Sequence, residues 1–387
     1  MSKSTRALRV FLLDSGTLET KKQMLSHDHH LQAALQQRVQ RADALLPARL
    51  VSVVEKTQLP ASGNIHDYLS LAPYWWPDPT KPDGLPYIHR DGQTNPQASE
   101  IPDKPNFQKM MPDVKTLALA YYFTDKEAYA AKAADFLRTW FLNKDTFMNP
   151  NLNHAQMIRG RDTGRATGII DARALTAVVD AIGFIQHTNG WTTQDQKEME
   201  SWFQRYLDWL LTSPLGQEEA ATKNNHGSWY NALTVSIALF LNETEIARTI
   251  LQASKTRRID RHILADGSQP FELKRTLTWH YSVFNLQALL TLARLGEHVG
   301  VDLWDHRTPQ GATLRTALDY LLPAALNAQV WPYPQISPIK PERIVDVLYQ
   351  AAAHYHEPSY LQVAQMILGQ DATTHLDNLL YSTNSPR

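Results

Sequence analysis

Apolar residues in this chain recur every three to four positions, segment after segment, and almost nowhere every two. That period is the signature of amphipathic helices, so the chain is expected to be all-α. Met199, Trp202, Phe203, Tyr206 and Leu210 share one face of a helix starting near Gln194. Thr193 is its expected N-cap, with Gln196 completing a capping box. Tyr129, Ala133, Phe136, Leu137 and Trp140 repeat the pattern after Asp125. Proline at a first helical position marks further starts at Thr308-Pro309, Lys340-Pro341 and Glu357-Pro358. Other helices are expected over roughly 20–46, 108–123, 171–187, 227–241, 244–263 and 279–296. Ten or so helices joined by short turns exceed a four-helix bundle. The economical arrangement is a ring of antiparallel helix hairpins, an (α/α) toroid, whose inner helices surround a cleft. The reading is one domain spanning 1–387.

One segment breaks the rhythm. Between Leu59 and Pro112 no helix is expected, and prolines stand at Pro60, Pro73, Pro77, Pro79, Pro82, Pro86, Pro96, Pro102, Pro105 and Pro112. Loops of this length are usually functional or disordered. Tyr68, Tyr74, Trp75, Trp76 and Tyr87 make it too aromatic for disorder. It reads as an ordered lid over 59–112, against the cleft mouth, with a purely structural wrap as the alternative.

Composition closes off several functions. The net charge of −1 lacks the basic excess of a nucleic-acid-coating protein, so positive charge for an anionic ligand must be local to a cleft. There are no cysteines, which removes thiolate catalysis and Cys-ligated zinc. His27-Asp28-His29-His30 lacks a metal-site pattern and fits a solvated helical stretch, so no metal or other cofactor is expected. The apolar run near Leu233–Leu241 is too short to span a membrane. Lys3 to Arg9 is basic, but Val10-Phe11-Leu12-Leu13 is too short for a signal-peptide core. The chain therefore either stays inside the cell or has lost a leader.

Two stretches suggest chemistry. Asn224-Asn225-His226 sits where a helix should begin, a place where backbone N–H groups and the helix dipole favour an anion. Capping alone is the plainer role for the asparagines. Arg275 precedes Tyr281 by six residues, and Thr278 could cap a helix carrying Tyr281, Asn285, Ala288 and Leu292. An arginine beside a phenol should lower its pKa. Taken separately, Tyr281 could be an ordinary half-buried tyrosine and Arg275 a surface partner of Glu272. Together, amide, imidazole, guanidinium and phenol can neutralise a sugar carboxylate, take the adjacent proton and protonate a leaving oxygen. That is β-elimination on a polyuronate. A third cluster, Asn153-His154-Ala155-Gln156 with Arg159, Arg161, Arg165 and Asp171, is spaced by Gly160, Gly164 and Gly168. It is either a basic loop facing an anionic chain or a glycine-rich connection.

Five stretches carry a resemblance: HDYLSLAPYWWPDPTKPDGLPYIHRDGQTNP from His66, NLNHAQ, GRATGIID, KNNHGSWY and FELKRTLTWHYSVFNLQAL. In this order, over about Val10 to Leu368, the chain resembles the alginate lyase superfamily of polysaccharide lyases, nearest the family 38 type that includes alginate and glucuronan lyases. The resemblance implies an (α/α) toroid and metal-free elimination. It implies Asn225 as carboxylate neutraliser, His226 as neutraliser or base, and Tyr281 as acid, with Arg275 supporting it. Where proton and leaving group share a face, Tyr281 would also be the base. It further implies His154 and Arg165 as cleft residues, with Tyr68, Trp75 and Trp76 as a sugar-contacting rim; Asn153, Asn224 and His280, which adjoin these stretches, are candidate substrate contacts as well, His280 being a less favoured base than Tyr281. Periplasmic or secreted location goes with the family.

The expected partner is an acidic polysaccharide, with no nucleic acid and no membrane. Two other functions remain open from sequence. An inverting glycoside hydrolase would need a carboxyl pair, with Asp67, Asp162, Asp171 and Glu272 as candidates. A non-catalytic uronate-binding protein would not need Tyr281.

Overall fold

The computed structural model describes residues 8–381. The basic stretch at Lys3 to Arg9 thus lies mostly outside them. Fifteen α-helices follow in order: α1 Ser15–Met24, α2 His29–Leu45, α3 Asp103–Thr124, α4 Glu127–Leu137, α5 Leu175–Ile185, α6 Thr193–Thr212, α7 Pro214–Ala221, α8 Asn225–Phe240, α9 Thr244–Ser254, α10 Asp260–His262, α11 Thr278–Glu297, α12 Leu314–Ala325, α13 Val345–Tyr355, α14 Pro358–Leu368 and α15 Asp377–Leu380. Helices α3, α5, α8, α11 and α13 pack side by side in sequence order, and α2, α4, α6, α9, α12 and α14 lie outside them. This is the (α/α) toroid. Inner and outer rings differ as their environments require. On α5 and α8 nearly every residue is buried, whereas α9 hides only Ala247, Leu251 and Ser254. A helix apolar all round belongs inside, and one with a single apolar stripe belongs at the surface. Among the described residues, no helix is long and apolar enough to cross a membrane.

Several expected boundaries move. Thr192, not Thr193, caps α6, and Asp195 closes the capping box. The proposed start at Thr308-Pro309 is a turn, and α12 begins at Leu314 behind the cap Thr313. The expected 20–46 helix is two helices, because the Asp28 carboxylate accepts from His30 and Leu31 N–H and starts α2 afresh. The lid stops short of Pro112. Helix α3 starts at Asp103, with Pro105 in its first turn, where no N–H is required, and Pro112 inside. Burial of Phe107, Met110, Met111, Val114 and Leu117 outweighs the one hydrogen bond that Pro112 forgoes.

The lid from 59 to 102 is ordered by short strands and buried polar ties. Strand β1 (Leu69–Leu71) runs parallel to β4 (His154–Met157), and β2 (Trp75–Trp76) pairs antiparallel with β3 (Ile88–His89). Lys56 and Asp103 form an ion pair of 2.9 Å with no side-chain exposure. Asp103 also accepts the Leu69 N–H, which pins the lid to the start of α3. Burial pushes the Asp103 carboxyl up to about 6 against the pull of Lys56. Asp171 is a second anchor. It accepts from Tyr68 Oη, Ser70 Oγ, Gln156 Nε2 and Lys104 Nζ, joining lid, β4 and α3.

Candidate active site

The toroid axis opens into a cleft of about 880 Å³ lined from the lid, the first turns of α8 and α11, and the segments before them. Asn224 caps α8, its Oδ1 accepting the His226 N–H at 3.2 Å. Asn225 and His226 occupy the first turn, and Tyr281 the first turn of α11. All four line the one cleft, with Arg275, Arg165 and Trp75.

His226, Asn225 and Arg275 are each backed by a carboxylate. His226 Nδ1 lies 2.7 Å from Glu219 Oε1, and Glu219 is fully buried. A carboxylate oxygen accepts, so this contact favours the tautomer with hydrogen on Nδ1, which leaves Nε2 as the acceptor away from Glu219. Gly227 makes this placement possible. A Cβ there would stand 2.2 Å from Arg258 Nη1, which holds the α7–α8 turn through Thr222 O at 2.5 Å. Asn225 donates its backbone N–H to Glu272 Oε1 at 2.7 Å and its amide Nδ2 to Glu272 Oε2 at 2.6 Å. Burial drives Glu272 up to about 7 despite those two bonds. The backbone N–H groups opening α8 are therefore taken by the protein itself, contrary to the expectation of an open backbone anion site. What this turn leaves to the cleft is side chain: Asn225 and His226 both line it.

Arg275 does not pair with Glu272. It makes an ion pair of 2.6 Å with Asp91 of the lid, and Asp91 also accepts the Thr276 N–H. Burial alone would raise Asp91, but these hydrogen bonds hold it below the usual carboxylate range. The guanidinium lies 3.9 Å from the Tyr281 ring centroid. Tyr281 donates to Tyr74 Oη at 2.9 Å. Its phenol is pushed up, not down. Burial leads, Tyr74 adds to it, and Arg275 opposes without prevailing. The resting group is a neutral phenol suited to giving a proton. Thr278 does not cap α11; Leu277 holds that position, and the Thr278 hydroxyl donates to Pro334 O at 2.7 Å.

Several predicted contacts lie elsewhere. Tyr68 is sealed in the core against Asp171, so no face is open to a sugar. Trp76 turns from the cleft and donates its indole N–H to Gln93 O. Trp75 does line it, between Arg161 and Arg165. Asn153 accepts from the Trp209 indole, and His154 Nδ1 meets Thr163 O, so neither lines the cleft. His280 is turned to the far side of α11, where Nε2 accepts the Lys340 N–H, and burial lowers it to about 4. The glycines that space the stretch of Asn153, His154 and Arg165 serve close packing: a Cβ on Gly164 would meet Asn153 O at 1.9 Å. Sequence reasoning missed Glu219, Asp91 and Tyr74 as partners. Glu219 is only seven residues from His226, but on a different helix, and Asp91 reaches Arg275 across 184 positions. Nothing local marks either.

The cleft is electropositive as the neutral net charge required. Six lysines and arginines line it against two aspartates, Asp91 and Asp171. Both aspartates are already paired, with Arg275 and Lys104. Among the described residues, no group of three or more His, Asp or Glu side chains is placed to hold a metal ion.

A model of the alginate lyase family matches residues 52–331. The crystal structure of an alginate lyase from Bacteroides ovatus superposes with a TM-score of 0.92 and 34% identity, covering 98% of this chain and all of that one. Alginate lyase A1-III from Sphingomonas species A1 gives 0.60 at 17% identity, covering 95% of each chain. A variant of A1-III complexed with tetrasaccharide gives 0.63 at 16% identity, covering 100% of this chain and 99% of that one. These last two share the fold. No curated protein matches. With the family model spanning most of its length, the chain belongs to the alginate lyase family and is a polysaccharide lyase.

Proposed function

We propose that the protein cleaves 1,4-linked polyuronates, alginate rich in mannuronate or glucuronan, by β-elimination that leaves 4,5-unsaturated uronate ends. The observation that carries this is the meeting of His226, Asn225, Arg275 and Tyr281 in one electropositive cleft. The proton next to a carboxylate is hard to remove, because the intermediate gathers two negative charges. Fixed donors that neutralise the carboxylate lower that barrier most. Asn225, held by Glu272, supplies one N–H toward the cleft, and His226 stands beside it. Tyr281, a neutral phenol at rest, gives its proton to the departing O4.

Substrate stereochemistry decides the base. In mannuronate and glucuronate the C5 proton and O4 leave from one side, and Tyr281 serves both steps once its own phenolic proton has passed to His226 Nε2 or solvent: the phenolate takes the C5 proton and the phenol so formed returns it to O4. In guluronate they leave from opposite sides, and His226 Nε2 takes the proton. An inverting hydrolase is less well supported. Of its candidate acids only Asp171 lines the cleft, and four donors occupy it. Glu272 lies beneath Asn225, and Asp67 is bound to Ser62 and Asn149.

The test is a panel of polymannuronate, polyguluronate and glucuronan, followed by ultraviolet absorbance and by reducing ends. Absorbance rising with new ends on at least one polymer supports elimination. New ends without absorbance mean hydrolysis, and binding without cleavage means a binding protein. Chelators are expected to leave the rate unchanged.

A further inference from the structure

Arg173 sits in the turn between the 3₁₀ segment 166–172 and α5, and its side chain forms the inner end of the cleft. It also borders two cavities that continue along the toroid axis, of about 240 and 400 Å³. Its guanidinium lies 5.2 Å from the Phe284 ring centroid. Phe284 stands three residues beyond Tyr281, roughly 4.5 Å further along α11, and Arg173 packs against its ring.

The cleft's other cations are neutralised, bonded or exposed: Arg165 donates to Gln156 O and Oε1, and Lys223 and Lys274 face solvent. Arg275 is neutralised by Asp91 and Lys104 by Asp171. Arg173 has no carboxylate within salt-bridge distance among the described residues. Its one hydrogen bond is a long contact of 3.4 Å to Ile170 O. A guanidinium stays charged, and holding one in a largely desolvated place without an anion is costly. Beyond it the attraction ends. The 240 Å³ cavity is lined by Asp180, Asp346 and Asp377 against only Lys115 and Arg294 besides Arg173 itself. The 400 Å³ cavity sets Arg343 against Asp346, so behind Arg173 neither cavity keeps the basic excess of the cleft, and a polyanion is drawn along the cleft only as far as Arg173.

We propose that Arg173 is the terminal carboxylate-binding residue of the cleft: it receives the carboxylate of a uronate neighbouring the one that reacts, and sets how deep the chain enters. This rests on the polyuronate reading of the site. Uronate trimers, tetramers and hexamers are given to wild type, Arg173→Gln and Arg173→Lys, with KM and kcat measured separately. Loss of a charged hydrogen bond is expected to raise KM roughly tenfold or more for oligomers long enough to reach Arg173. Short ones and kcat change little, and Arg173→Lys recovers part of the loss. A KM effect that is absent, or equal at every length, overturns the assignment. Calorimetry of the same oligomers on Tyr281→Phe, with and without Arg173→Gln, reads binding independently of the reaction. A length-dependent loss of affinity there supports the subsite, and equal affinities reject it. If wild type makes no unsaturated product from any polyuronate, the lyase chemistry fails, and these affinities still judge Arg173.

Discussion

Replacing Glu219 by glutamine separates two roles for His226. The carboxylate lies 2.7 Å from Nδ1 with 1% of its side chain exposed, so no water can take its place. Glutamine keeps the shape and removes the charge. Exchanging a charge-assisted hydrogen bond for a neutral one costs about 1 kcal/mol, or about fivefold in rate. The larger effect is on the tautomer. A glutamine amide can donate to Nδ1, which moves the ring proton to Nε2 and removes the acceptor facing the cleft. A positioned general base is worth about 10² to 10⁴ in rate. Glu219→Gln is therefore expected to lower kcat/KM about fivefold, and about 10² to 10³ on a substrate whose C5 proton faces His226. Glu219→Asp should recover part of that. The assay is the initial rate of ultraviolet absorbance, beside a thermal melt showing an intact fold. A folded Glu219→Gln protein within a factor of two of wild type on every polyuronate would refute the argument. His226 would then act only as a donor to the carboxylate.

Three further outcomes follow from the same geometry. Tyr281→Phe keeps the ring beneath Arg275 but loses the transferable proton, so turnover should fall by about 10² to 10⁴ with the melt unchanged. Asp91→Asn should weaken the tie between lid and α11 and free Arg275 to move. We expect about 2 kcal/mol lower stability by denaturant titration and at least tenfold lower kcat/KM, since both partners are only about one-fifth exposed. Glu272 has a folded pKa raised from 4.5 to about 7, so its protonated form is the one folding favours. Its contribution to stability is present in full below about 4.5 and is lost as pH rises through about 7. Denaturant titrations across that window should show wild type declining relative to Glu272→Gln. Parallel curves would contradict it.

The helices were legible because burial writes a 3.6-residue period, and the ring followed from their number. Boundaries shifted where two adjacent residues could do the same job, as with Thr192 and Thr193, or where proline looked like a stop. Pro105 fell in a first turn and Pro112 was carried by the apolar face of α3. In the site, the sequence singled out Asn225, His226, Arg275 and Tyr281, which line one cleft, but not the residues that hold them there. Tyr68 and Trp75 stand seven residues apart in one aromatic segment. Only the distant partners of Tyr68, Phe107 on α3 and Asp171 beyond β4, decide that it is core while Trp75 faces the cleft. Such partners leave no local pattern.

The central claim is that the bond breaks without water being added. Mass spectrometry of a defined tetrauronate after digestion reads this directly. The expected products have masses that sum to that of the substrate, and the piece bearing the new non-reducing end absorbs in the ultraviolet. Masses that sum to the substrate plus one water for each cut, with no absorbance, would contradict the account.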